Sequence, residues 1–74
     1  MGSRYLARLR FVAAGPAVQG EWTVLDTAEE RYKTWVGLYS QNPAVVIQLI
    51  EETNGLEHVL RTWTAQGETA SGDP

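Results

Sequence analysis

From Tyr5 to Ala13 apolar residues alternate with charge. Tyr5, Ala7, Leu9, Phe11 and Ala13 hold the odd positions and Arg4, Arg8 and Arg10 hold even ones, with Leu6 and Val12 as exceptions. A period of two belongs to a strand with one buried face, so this segment is predicted to be a β-strand with its arginines outward. The competing helix from Ser3 to Gly15-Pro16 places Phe11 near the arginine side and fits less well. Gly15-Pro16 and Gly20 bound a connection to a second predicted strand, Trp22-Thr23-Val24-Leu25, which completes an N-terminal hairpin.

The period then lengthens. Ala28, Tyr32, Trp35 and Tyr39 fall at i, i+4, i+7 and i+11 with Leu38 beside them, the stripe of a helix with an aromatic face. Thr27 with Glu30, or Asp26 with Glu29, matches a capping box at its start. Asn42-Pro43 ends it, because the residue before proline avoids helical geometry.

Residues 44–64 read in two ways. Asn54-Gly55 is a strong two-residue hairpin signal, since a type I′ turn needs positive φ at both positions, and β-branched residues are frequent on either side. The rival is a pair of helices: Asn42-Pro43 opens one that Gly55 closes, and Leu56, Val59, Leu60 and Trp63 share one face of the next. The hairpin, 44–53 with 56–64, is the preferred reading. Residues 65–74 are small and polar and are predicted to be a flexible C-terminal tail, leaving one domain over 4–64.

The predicted order is strand, strand, helix, strand, strand. That is an α+β, ββαββ chain: a four-stranded, mostly antiparallel sheet with one helix packed across it. In order and size it resembles the β-grasp arrangement. The resemblance is one of topology, no motif accompanies it, and so it implies no activity.

Composition narrows the function classes. The chain has 74 residues, no Cys and one His, which leaves no disulfide scaffold, no thiolate chemistry and no ordinary zinc set. The longest aliphatic run, Ala44 to Ile47, is far short of a membrane span. Arg4, Arg8 and Arg10 with no acid before Glu21 resemble a mitochondrial presequence and loosely a secretory one. But Arg10 breaks the apolar run a secretory signal needs, and losing about 20 residues would leave too little to bury a core. The segment is read as part of the fold, and the protein as cytoplasmic.

A two-residue turn at Asn54-Gly55 sets a register with Ile50 opposite Val59, Gln48 opposite Arg61, and Val46 opposite Trp63. The face so formed carries Val46, Ile50, Val59 and Trp63 with Arg61 among them, the predicted surface for a protein partner or for homodimerisation. A domain this small is marginal without disulfides or metals, and a partner would complete it.

Chemistry finds less support. Glu51 opposite His58 has the makings of an acid–base pair but no nucleophile beside it. Glu51, Glu52, Glu57 and His58 lack the spacing of a cation loop, and the glycines match no phosphate-cradling pattern. The expectation is a non-enzymatic protein with no catalytic, cofactor or metal residues. The alternative is a surface for single-stranded nucleic acid or DNA built from Arg4, Arg8 and Arg10 with Arg61 and Trp63. A net charge of −3 opposes it.

Overall fold

A computed structural model describes residues 2–11 and 15–70. Its elements are β1 (Ser3–Arg10), β2 (Ala17–Trp22), α1 (Leu25–Tyr39), β3 (Val46–Thr53), β4 (Leu56–Thr64) and β5 (Gly67–Ala70). The strands form one sheet in the order β2-β1-β3-β4-β5, antiparallel at every junction, with α1 packed across one face. This is the α+β class expected, with one strand more. The likeness to the β-grasp stops at the order along the chain: β1 lies antiparallel beside β3, whereas a β-grasp sets its first and last strands side by side in parallel.

Two elements begin elsewhere than predicted. β2 occupies Ala17–Trp22 instead of Trp22–Leu25. It is an edge strand whose large apolar residues are only Val18 and Trp22, so it lacks the run of large residues that marks a strand in sequence. Leu25 opens the helix instead. The N-cap is Val24, with extended backbone and no side-chain cap, so neither capping box forms. Asp26 still sits in the first turn, where the positive end of the helix dipole favours it. The aromatic stripe behaves as expected at Ala28 and Tyr32, which are buried, while Leu38 is exposed.

The two-helix reading of residues 44–64 gives way to the hairpin. Asn54 at φ 55° and Gly55 at φ 79° supply both left-handed positions of the turn. The expected register holds from Thr53↔Leu56 to Ile50↔Val59 and then shifts by one, giving Leu49↔Arg61, Gln48↔Thr62 and Ile47↔Trp63. Leu60 is the extra residue of this β-bulge and packs against the core. A shift of one reverses the face of everything beyond it. The predicted Gln48–Arg61 and Val46–Trp63 pairs therefore do not form, and Arg61 and Trp63 turn to the helix side.

The predicted tail is also corrected. Gly67, with φ 129°, follows the Ala65-Gln66 turn, and residues 67–70 pair with β4 through Thr64↔Gly67, Trp63↔Glu68, Thr62↔Thr69 and Arg61↔Ala70. Residues 71–74, like the predicted end of β1 at 12–13, lie outside the described residues.

Leu9, Ile47 and Leu49 of the sheet, with Val45, pack under Ala28 and Tyr32 to form the main core. The other face holds a second, smaller one. Leu6 and Ile50 are cross-strand partners there with only 1% and 0% of their surface exposed, although no helix covers them. Charged side chains do. Arg4 bridges to Glu52 at 2.6 Å and Glu21 at 3.2 Å, and Arg8 reaches Glu57 on β4 at 2.9 Å. Arg8 pairs with Gln48, and Glu57 with Glu52, so the line between them passes over Ile50. The arginine stems thus roof this apolar pair, as long cationic side chains do when their heads find partners at the rim.

Candidate functional site

The helix lies over β2, β1 and β3, so β4 and β5 extend beyond it. In the corner between helix and overhanging strands is a cleft of about 240 Å³ lined by Tyr32, Lys33 and Val36 of α1 and by Arg61, Trp63 and Glu68 of β4 and β5. The bulge brings Arg61 and Trp63 here. Helical spacing presents Tyr32 and Val36 on the same side, one turn apart.

Polar contacts fix the walls. The Tyr32 hydroxyl donates to Glu68 Oε2 at 2.7 Å and ties the helix to the last strand. Burial pushes the Tyr32 phenol well above its ordinary value, and the hydrogen bond and charge of Glu68 push the same way, against a smaller opposing effect of Arg61. Arg61 bridges back to Glu29 on α1 at 3.3 Å. Trp63 is half-buried, with one side packed on the core. Lys33 is exposed at the mouth and has no ion pair among the described residues. The cleft joins an aromatic wall, an aliphatic patch, the cationic heads of Lys33 and Arg61 and the Glu68 carboxylate, which suits it to binding. Trp, Tyr and Arg are the residues that most often dominate protein contacts.

The predicted contact residues are divided between two faces. Arg61 and Trp63 line the cleft; Val46, Ile50 and Val59 lie on the opposite face, where Ile50 is fully enclosed and so is not available to a partner. The single patch expected from the sequence does not exist as composed, because the bulge turns its two C-terminal members over. Of the arginines, Arg4 and Arg8 are engaged with Glu21, Glu52, Glu57 and Gln19. Arg10, partly buried opposite Ala17 and Val46, makes no ion pair among the described residues. Glu51 and His58 do face one another across the hairpin, but Glu52 and Glu57 point to the other side of the sheet, so the four do not converge on one ion.

Sequence reasoning missed Tyr32, Lys33, Val36 and Glu68 as members of a site. Tyr32 was legible only as core. Glu68 fell in the presumed tail, and no local signal links it to a helix residue 36 positions earlier. Comparison with protein-family models, with curated proteins and with solved structures returns no match. No helix among the described residues is long and apolar enough to cross a membrane.

Proposed function

We propose that the chain is a small, non-enzymatic, cytoplasmic protein-interaction module that grips a protein partner in the cleft between α1 and the β4–β5 strands. The observation that carries this reading is the convergence of half-buried Trp63, Val36 and Arg61 with exposed Lys33 in one recess at the uncovered corner of the sheet, beside the buried Tyr32. An apolar side chain of the partner packs on Trp63 and Val36, and an acidic group meets Lys33, which has no ion pair among the described residues. The nucleic-acid alternative is weaker, because Arg4 and Arg8 are engaged by carboxylates of their own chain, which removes the accumulated positive charge such binding needs.

Selection of displayed peptides on the immobilised protein, followed by titration against variants, tests this reading. Trp63→Ala is expected to weaken the selected peptides roughly tenfold or more. Lys33→Glu, at an exposed position that leaves the core untouched, is expected to weaken acidic peptides several-fold, and Arg4→Ala to leave them unchanged. Peptides that bind both cleft variants as well as the parent protein would place recognition elsewhere. Oligonucleotide binding that falls steeply with salt and requires Arg8 and Arg10 would favour the alternative.

A further inference from the structure

The two edges of the sheet are built differently. β5 is an edge of four residues that starts at a left-handed glycine, a short edge of the kind that limits pairing with other chains. β2 is six residues long and pairs with β1 without a bulge from Ala17 to Trp22. It has no proline and no lysine within it, and no strand among the described residues pairs with its outer side. Its one charge, Glu21, pairs with Arg4, which it shares with Glu52. Proteins that stay monomeric usually defend such an edge.

We infer that β2 pairs with β2 of a second copy of this chain, joining two sheets into one of ten strands with both helices on the same face. A twofold axis normal to the sheet makes the pairing antiparallel and keeps helix-side residues opposite helix-side residues, so the numbers of paired residues must sum to an even value. A sum of 40 is the register the side chains support. Gly20 meets Gly20 on the axis, Val18 meets Trp22, and Gln19 meets Glu21.

Each pair has a physical reason. Val18 is 53% exposed even though its β1 partner Leu9 is buried, and a facing Trp22 would cover it. A Cβ at Gly20 would collide with the far edge of the Trp22 ring, so the indole rests on the bare backbone of Gly20. In the paired edge the two indoles then lie side by side across the axis. On the other face Arg8 Nε donates to Gln19 Oε1 at 2.9 Å, which turns the amide's acceptor inward and leaves its NH₂ to donate. The acceptor opposite is Glu21 of the second copy, one of whose oxygens already takes Arg4. A sum of 38 sets Val18 against Gly20 and Gln19 against itself, and offers neither the apolar nor the polar match.

This dimer uses a surface separate from the cleft proposed above, and the two readings stand or fall separately. Light scattering across a concentration series is expected to give a mass approaching twice 8.2 kDa. Val18→Asp, at an exposed edge position where folding should survive, is expected to weaken association at least tenfold with an unchanged circular dichroism spectrum. Lys33→Glu in the cleft is expected to leave the mass unchanged. Because the chain lacks cysteine, the single variants Gln19→Cys and Glu21→Cys are expected to oxidise to a disulfide-linked dimer when mixed and not when each is alone, whereas the sum-38 register would link Gln19→Cys to itself. A chain that remains at 8.2 kDa at the highest concentration overturns the inference, as does a dimer indifferent to Val18→Asp. A Val18-dependent dimer that fails to cross-link overturns the register.

Discussion

Ile50→Ala is expected to destabilise the fold by about 2–5 kcal/mol, the range for truncating a fully buried aliphatic side chain. Total stability for a chain of this length is on the order of 4–11 kcal/mol, so the variant should sit close to unfolding. The effect follows from a burial that no secondary-structure layer provides. Ile50 and Leu6 are enclosed by the Arg4, Arg8, Glu52 and Glu57 lattice on the face away from the helix. Val46→Ala and Val59→Ala, which alter half-buried residues on the same face, are expected to cost about 1 kcal/mol each. Arg8→Ala is expected to cost about 1 kcal/mol through the lost cover of its stem, because Glu57 is 40% exposed and its ion pair is screened by solvent. Urea titration at constant m-value measures all four. If Ile50→Ala proves no more costly than Val59→Ala, the charged side chains do not close over that face.

Tyr32→Ala is expected to cost about 3–5 kcal/mol, as for other large buried aromatics. Tyr32 is 2% exposed at the centre of the helix–sheet contact and also holds β5 through Glu68, so the variant loses core volume and the tie to the edge strand together. Tyr32→Phe separates the two and is expected to cost about 1 kcal/mol, the worth of a typical hydrogen bond, since Glu68 is exposed and can be rehydrated. Alkaline pH gives a second readout. The folded state holds the phenol protonated beyond the ordinary value of 10.0, so folded molecules bind more protons than unfolded ones above that pH. The stabilisation is fully present below pH 10.0 and is lost as pH rises past it. Thermal melts of the parent protein should therefore fall more steeply above that pH than those of Tyr32→Phe. Parallel curves for the two would mean that burial and Glu68 do not hold the proton in place.

Helix α1, the Asn54-Gly55 turn and the identity of β1, β3 and β4 as strands were all legible along the chain. Each depends on local terms: a period of 3.6 or 2.0, and a turn whose positive φ angles restrict the residue types. The edge strands were not legible in the same way. β2 and β5 carry too few large residues to show a period, and what makes them strands is the open ladder each finds on its neighbour. The capping boxes formed neither way, because the link from β2 leaves only Thr23 and Val24 before the helix begins.

By itself, then, the sequence determined the class of fold, the main hairpin and its turn, and the absence of thiol and disulfide chemistry. The tertiary structure alone decided which residues share a surface. One bulged residue at Leu60 moves Arg61 and Trp63 from the face of Ile50 to the face of Tyr32. A bulge leaves no mark on hydrophobic periodicity when both faces of a strand carry apolar residues, since either register buries some of them. Only the competition between the helix side, which takes Leu60 and Trp63, and the arginine side, which takes Val59, resolves it.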